Sequence, residues 1–188
     1  MQFIDLSKQQ KLIRKKINAR IESVLDHGQF INGKEVFELE DLLADYVNKK
    51  HCISCSSGTD ALLIPLMAYG IGPGDAVITT PFTYIATAEV IALLGATPIF
   101  VDIYEKTFNI DPHGIKKAIK FAKNQNLVPK AIIPVDLFGL PARHRLIDEI
   151  AKKHNLIVIE DFAQAFGSSI RGKKAGSFGN VSATSFYP

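Results

Sequence analysis

The sequence predicts an α/β domain in which helices flank a mostly parallel β-sheet. Short apolar runs rich in valine and isoleucine alternate with longer stretches of helical periodicity, and glycine, proline or aspartate borders most runs. This alternation places a crossover helix between successive strands, so neighbouring strands are parallel. With 188 residues and 47% apolar side chains, the chain can form one sizeable core.

Two helices are predicted before the alternation begins. Ser7 and Gln10 make a capping-box pattern, apolar residues at helical spacing follow, and Gly28 ends the first helix. A broad apolar stripe predicts the second helix over residues 34–47. We assign residues 1–30 to an N-terminal helical segment and residues 31–188 to the main domain.

The alternating part of the chain contains the predicted sheet. Strands are expected at residues 51–55, 76–80, 98–101, 131–135 and 156–160, with one more within 182–188. Helices are expected at residues 59–69, 83–94, 112–123 and 143–154. Pro65 lies inside the first of these helices, where it removes a backbone donor and is expected to bend the chain.

Composition excludes several classes of protein. The net charge of +3 comes from 22 basic and 19 acidic residues without a long basic run, so nucleic-acid binding is not expected. The sequence has neither a secretory pattern at its start nor an apolar stretch of membrane-spanning length, so we expect a cytoplasmic protein. Cys52 and Cys55 form no zinc-ligand spacing with the histidines, and we expect buried structural thiols.

The segment Cys55-Ser-Ser-Gly-Thr-Asp60 joins a predicted strand to a helix. Small residues there leave unpaired backbone N–H groups at the positive end of the helix dipole, which is a suitable place for a phosphate. An ordinary serine-capped helix start is the alternative interpretation.

Tyr84 follows a predicted strand, so its ring is expected at the carboxyl edge of the sheet. A planar heteroaromatic ligand can stack on it, although an aromatic residue at a strand-to-helix junction is more often part of ordinary packing.

The most informative local pattern is Leu156-Ile-Val-Ile-Glu-Asp161, a buried-looking strand that carries Asp161 to the edge where ligands bind in open α/β sheets. A partly desolvated carboxylate needs a cationic partner, and a protonated pyridine nitrogen is one. Glu160 is expected to point to the opposite face. A helix cap or a metal ligand is the alternative, although Gln164 nearby is a poor metal ligand.

Seven blocks occur along the chain in a fixed order, and together they carry a resemblance. They are Ser57-Gly-Thr-Asp-Ala61, Ile71-Gly-Pro-Gly-Asp75, Pro81-Phe-Thr-Tyr-Ile-Ala-Thr-Ala88, Leu93-Leu-Gly-Ala-Thr-Pro-Ile-Phe-Val-Asp102, Ala131-Ile-Ile-Pro-Val135, Ile159-Glu-Asp-Phe-Ala-Gln164 and Thr184-Ser-Phe-Tyr-Pro188. This order resembles the DegT/DnrJ/EryC1/StrS family of nucleotide-sugar aminotransferases over nearly the whole chain.

The resemblance implies a pyridoxal-phosphate-dependent transferase of fold type I, the aspartate-aminotransferase architecture, that works as a homodimer. Residues 31–188 then form an incomplete large domain that binds pyridoxal 5′-phosphate, and the small domain is expected to be absent. The resemblance implies a role for each matching position. Gly58, Thr59, Asp60 and Ser185 are expected at the phosphate, Tyr84 on the pyridine ring, Asp161 at its nitrogen and Gln164 by its hydroxyl.

In this family a lysine that forms the Schiff base follows the last block, and the resemblance places it two residues after Pro188. No catalytic residue is therefore expected within residues 1–188. Phe162 stands where alanine is usual.

The activity implied for the intact protein is amino transfer from L-glutamate to a nucleotide-linked keto-sugar. Resemblance to one branch of the family favours a UDP-linked 3-keto hexose or hexuluronate and surface polysaccharide biosynthesis. A sugar dehydratase and a non-catalytic relative that binds cofactor or a partner are the alternatives. A further alternative is a domain that binds another phosphorylated ligand.

Overall fold

The computed structural model describes residues 5–187, which form two compact units. One unit contains residues 5–46 with 50–52, and the other contains 47–49 with 53–187. The predicted partition into residues 1–30 and 31–188 stays a prediction. Among the described helices, none combines the length and the apolar character that a membrane span requires.

The first unit contains α1 (Leu6–His27) and most of α2 (Lys34–Val47). The predicted capping box at Ser7 is wrong, because Asp5 caps α1 and its carboxylate accepts the N–H groups of Ser7 and Lys8. Gly28 ends α1 as predicted, with a left-handed φ of 66° that a residue with a side chain adopts only at a cost.

Helix α2 has the predicted bounds. Two side-chain contacts join it to the preceding part of the chain: an ion pair between Arg20 and Glu38, and a contact of 3.2 Å between His27 Nε2 and Glu35 Oε2.

The second unit is built on five parallel strands, which are β1 (Asp75–Thr79), β2 (Thr97–Phe100), β3 (Val128–Ile132), β4 (Ile157–Asp161) and β7 (Val181–Ala183). In the sheet they lie in the order β2-β1-β3-β4-β7. A separate hairpin contains β5 (Ser169–Ile170) and β6 (Lys173–Lys174). The parallel sheet confirms the predicted fold class.

Helices cover both faces of the sheet. They are α3 (Gly58–Ala68), α4 (Ala86–Leu93), α5 (Pro112–Asn124) and α6 (His144–His154). Successive strand residues enter opposite cores: Ile78 and Val158 pack with α5 and α6, whereas Val77 and Ile159 pack with α3 and α4. Helix α3 runs on through Pro65 to Ala68.

The strand predicted at residues 51–55 is wrong. No described strand pairs with this segment, and a strand needs a neighbour to accept and donate its backbone hydrogen bonds. Ile53 is accordingly 80% exposed. The expectation of buried thiols is also wrong, because Cys55 is exposed and Cys52 only half-buried.

The β5–β6 hairpin is not among the elements predicted from the sequence. Its two turn residues, Arg171 and Gly172, both have positive φ, as a type I′ turn requires. Arginine at the first position hides this turn from a search for the usual Asn-Gly or Asp-Gly pairs.

Candidate functional site

The predicted site residues lie where the carboxyl ends of the central strands meet the start of α3. Asp161 is the last residue of β4, and it pairs with Ala183, the last residue of β7. Ser185 follows two residues later, and α3 packs against both strands. In an open parallel sheet this edge is where ligands bind.

Hydrogen bonds among Ser56, Ser57 and Asp60 hold the start of helix α3. Ser57 caps the helix by accepting the Asp60 N–H at 3.1 Å, and its hydroxyl donates to Asp60 Oδ2 at 2.9 Å. A second hydroxyl, from Ser56, also donates to this carboxylate, and the two hydroxyls lower the pKa of Asp60. The N–H of Asp60 is thus already used, and Gly58 and Thr59 provide first-turn donors that have no acceptor inside the helix.

Gly58 and Ser185 lie in close contact although 127 positions of sequence separate them. A Cβ atom added to Gly58 would lie 2.7 Å from Ser185 Cβ and 3.2 Å from Ser185 Oγ. Only glycine therefore lets the hydroxyl approach the helix start. The N–H groups at the helix start and the Ser185 hydroxyl therefore lie together at the positive end of a helix, an arrangement that suits an anion.

Asp161 is a buried carboxylate, with 7% of the residue exposed. Oδ2 accepts the Thr87 hydroxyl at 3.0 Å, and Oδ1 accepts the Ala163 N–H at 3.3 Å. Burial raises the pKa of Asp161 despite these two donors, and the charge of Asp136 raises it further. Among residues 5–187, no ion pair supplies Asp161 with a cation. The site thus has a place for a positively charged group.

Tyr84 lies in the loop between β1 and α4, and its side chain is available for stacking because the residue is 71% exposed. The hydroxyl of neighbouring Thr83 lies 3.2 Å from that of Thr87, which in turn donates to Asp161. Two threonines therefore connect the Tyr84 loop to the buried carboxylate.

Gln164 is half-buried, and its Oε1 accepts the N–H of Phe138 at 3.1 Å. Phe138 belongs to the 3₁₀ turn Leu137–Gly139 after β3 and has a φ of 55°. Such a conformation is costly for an aromatic residue, so the surrounding hydrogen bonds must fix it. With its oxygen used in this way, Gln164 presents its amide N–H groups as the remaining donors.

Two further residues that shape the site, Asn109 and Thr87, have no recognisable pattern in the sequence. Asn109 is buried and bridges the turn, donating to Leu140 O at 2.8 Å and accepting the Leu137 N–H at 2.9 Å. Thr87 lies inside α4 and gave no signal, because a threonine within an apolar helix is ordinary. Its role follows from the hydroxyl's proximity to Asp161, 74 positions further along the chain.

Together these groups define a site for a planar ligand that is anionic at one end and carries a basic nitrogen at the other. The donors of Gly58, Thr59 and Ser185 suit the anionic end, and the Asp161 carboxylate suits the nitrogen. Tyr84 and Gln164 offer a stacking surface and hydrogen-bond donors.

The chain belongs to the DegT/DnrJ/EryC1/StrS aminotransferase family, whose model matches residues 11–188. Members of this family depend on pyridoxal 5′-phosphate. The predicted family and the fold type I architecture are thereby confirmed.

Three relatives illustrate the similarity. UDP-2-acetamido-2-deoxy-3-oxo-D-glucuronate aminotransferase of Pseudomonas aeruginosa is 53% identical over 188 residues, which are 100% of this chain and 51% of that protein. A DegT DnrJ EryC1 StrS aminotransferase from Brucella abortus superimposes with a TM-score of 0.97 at 49% identity, covering 100% of this chain and 51% of the other.

The third relative is NtdA from Bacillus subtilis, solved with bound cofactor PMP (pyridoxamine 5′-phosphate). It is 38% identical with a TM-score of 0.77, over 86% of this chain and 36% of the other. The chain spans about half the length of the relatives from P. aeruginosa and B. abortus.

Proposed function

We propose that the protein carrying this chain is a pyridoxal-phosphate-dependent nucleotide-sugar aminotransferase, and that the described site holds the cofactor. The observation that carries this proposal is Asp161, a buried carboxylate without a cation among the described residues. Family membership supports the same conclusion.

The residues fit the cofactor by their chemistry. Burial works against the ionised form of Asp161 and raises its pKa, and a protonated pyridine nitrogen would reverse that effect by supplying the missing positive charge. The Gly58 contact with Ser185 supports a phosphate there, because any larger residue would fill the space between the helix start and the hydroxyl.

The remaining predicted residues complete the assignment. Tyr84 would stack on the pyridine ring, and Gln164 would donate its amide N–H to the ring hydroxyl. For Asp60 we propose a supporting role, since its carboxylate and its N–H both hold the capping arrangement with Ser57.

When bound, pyridoxal phosphate supplies a carbonyl that accepts an amino group and a protonated ring that withdraws electrons from the reacting carbon. Asp161 keeps the ring nitrogen protonated, because an ionised carboxylate next to it favours the charged ring. Thr87 holds the carboxylate in place through its hydroxyl.

For the substrate we propose a UDP-linked 3-keto hexuluronate, with L-glutamate as amino donor and surface polysaccharide as the biosynthetic destination. The 53% identity with the P. aeruginosa aminotransferase supports this choice over a 3-keto hexose. We further propose that the protein forms a homodimer and is located in the cytoplasm.

The decisive experiment measures cofactor affinity and amino transfer separately. Pyridoxamine 5′-phosphate is a suitable binding probe, because it binds without a covalent bond to lysine. We expect Asp161→Asn to weaken its binding about 100-fold, the effect of removing one member of a buried ion pair. Asp111→Asn, at the start of α5, is the matched control and should leave affinity unchanged.

Amino transfer is followed with pyridoxal phosphate, L-glutamate and the UDP-linked 3-keto hexuluronate. The expected products are 2-oxoglutarate and a UDP-linked 3-amino hexuluronate, identified by mass spectrometry. Unchanged probe affinity in Asp161→Asn would show that the site binds some other phosphorylated ligand. Normal cofactor affinity without 2-oxoglutarate would overturn the proposed donor and substrate.

A further inference from the structure

The side-chain amide of Gln164 has two possible orientations, and a neighbouring backbone group selects one of them. Gln164 Oε1 accepts the Phe138 N–H at 3.1 Å. A backbone N–H can only donate, so an amide rotated by half a turn would place one N–H group against another and lose this bond. Among residues 5–187, no protein acceptor bonds to the Gln164 amide nitrogen, so both of its N–H groups are available to a ligand.

The direction of the Phe138 N–H depends on an unusual backbone conformation. Phe138 has φ 55° and ψ 29°, and Gly139 after it has φ 83°. The left-handed region is costly for phenylalanine and persists only where the surrounding structure holds it. The Phe138 residue is 67% exposed, so burial of its ring compensates little for this cost. The conformation must therefore be held by bonds to the backbone on either side.

Asn109 supplies those bonds. Its buried side chain accepts the Leu137 N–H at 2.9 Å and donates to the Leu140 carbonyl oxygen at 2.8 Å, so it clamps both ends of the strained turn. The clamp is attached to a well-packed part of the domain, because the next residue, Ile110, is buried and forms an antiparallel bridge with Ile103. Movement of the turn thus requires the loss of two buried hydrogen bonds.

The turn and Gln164 also leave the sheet from neighbouring positions. The Asp136 N–H, just before the turn, donates to the Asp161 carbonyl oxygen at 2.8 Å, and Gln164 follows Asp161 by three residues. Beyond the turn, Asp136 Oδ1 accepts the Ala142 N–H at 2.8 Å and lies 2.7 Å from His144 Nε2. The segment is therefore closed on itself and joined to the strand that carries Asp161.

We propose that Asn109 is a positioning residue for the cofactor site. By holding Phe138 in its left-handed conformation, it fixes Gln164 as a hydrogen-bond donor, and the site thereby selects a ligand ring that carries an oxygen acceptor. This inference rests on the proposed function, in which that acceptor is the ring hydroxyl of pyridoxal phosphate. Asn109 acts through the turn and not by direct contact with the ligand.

The fixed orientation has a chemical consequence for the ligand. A free glutamine can either accept from a ring hydroxyl or donate to it, whereas Gln164 held by Phe138 presents its N–H groups. A donated N–H favours the ionised form of the ring oxygen that accepts it. A ring without this oxygen leaves the Gln164 N–H without an acceptor, which costs affinity.

The test measures selectivity in the intact protein with two probes, pyridoxamine 5′-phosphate and its 3-deoxy analogue, which lacks the ring hydroxyl. We expect the unaltered protein to prefer the hydroxylated probe about tenfold, the effect of one hydrogen bond that involves a charged group. Gln164→Ala should bind both probes equally. Asn109→Ala should reduce the preference to below about threefold, and the double variant should show no preference, as in Gln164→Ala.

Two variants of Phe138 separate the backbone from the ring. Phe138→Gly and Phe138→Val both remove the ring, but glycine adopts the left-handed conformation freely whereas valine resists it. We expect Phe138→Gly to keep the preference for the hydroxylated probe and Phe138→Val to lose it. Thr87→Val is the matched control, because it acts on Asp161 and should weaken both probes by the same factor.

Equal weakening of both probes by Asn109→Ala would show a general structural role and overturn the inference, as would the same preference in Phe138→Gly and Phe138→Val. If Asn109→Ala does not fold, the two Phe138 variants still decide. Equal binding of the two probes by the unaltered protein, together with weaker binding in Asp161→Asn, removes this inference and leaves the proposed function. Unchanged affinity in Asp161→Asn removes the proposed function itself.

Discussion

Glu160 makes the stability of this protein depend on pH in a predictable direction. Its carboxyl is completely buried, and burial, followed by the charge of Asp136, raises its pKa from an ordinary 4.5 to about 7. Between these two values the folded protein holds a proton that the unfolded chain has released. The free energy of unfolding therefore falls as pH rises through this window, by about 1.4 kcal/mol per pH unit for one proton.

Replacing Glu160 by Gln removes this proton from both states. The stability of the unaltered protein relative to Glu160→Gln should therefore decrease by about 3 kcal/mol between pH 4.5 and pH 7.5, and the difference should be constant above that range. Urea denaturation at half-unit pH intervals measures the free energies of both proteins. Other titrating groups are common to both and largely cancel.

Glu149→Gln is the matched control for this series. Glu149 is exposed in an i,i+4 pair with Arg145, so its replacement should change stability by less than about 1 kcal/mol at every pH. A stability difference for Glu160→Gln that is independent of pH, or that grows as pH rises, would refute the reasoning. Either result would mean that Glu160 is ionised in the folded protein well below pH 7.

Three further substitutions test the site. Gly58→Ala should weaken binding of pyridoxamine 5′-phosphate about tenfold, because the added Cβ forces Ser185 away. Gly72→Ala is the control, since the nearest atom to a Cβ added there would be 3.8 Å away. Thr87→Val should weaken the same binding about tenfold by removing a hydrogen bond to a charged group, and should have no effect in an Asp161→Asn background. Asn109→Ala should lower the free energy of unfolding by about 2 kcal/mol in urea denaturation, because it leaves the Leu137 N–H and the Leu140 carbonyl oxygen without their partner. A loss below about 0.5 kcal/mol, the range expected for the exposed control Asn124→Ala, would contradict this.

Local patterns in the sequence were sufficient for most of the fold. Helix α2 has its predicted bounds, and β1, β2 and β4 lie within about one residue of their predicted places. These elements have a strong apolar period and clear boundaries, so neighbouring residues alone determine them. The segment 51–55 has the same composition as a strand but forms none, because strand formation depends on a partner distant in sequence.

The candidate site likewise contains residues that local patterns predict and residues that they do not. Position at the end of an apolar strand was enough to single out Asp161, and small residues before a helix singled out Gly58. Local patterns did not indicate Thr87, Asn109 or the contact between Asp136 and His144, because their roles depend on which loops the strand order brings together.

The sequence alone determined three things: the fold class, the family resemblance and the residues at the ends of the strands. These depend on periodicity and on short motifs, which can be recognised without a structure. The contact of Gly58 with Ser185, the burial of Asp161 and the pairing of Asp136 with His144 required the folded chain. The physical reason is that burial and charge compensation arise between residues that the strand order brings together, and strand order is a property of the whole sheet.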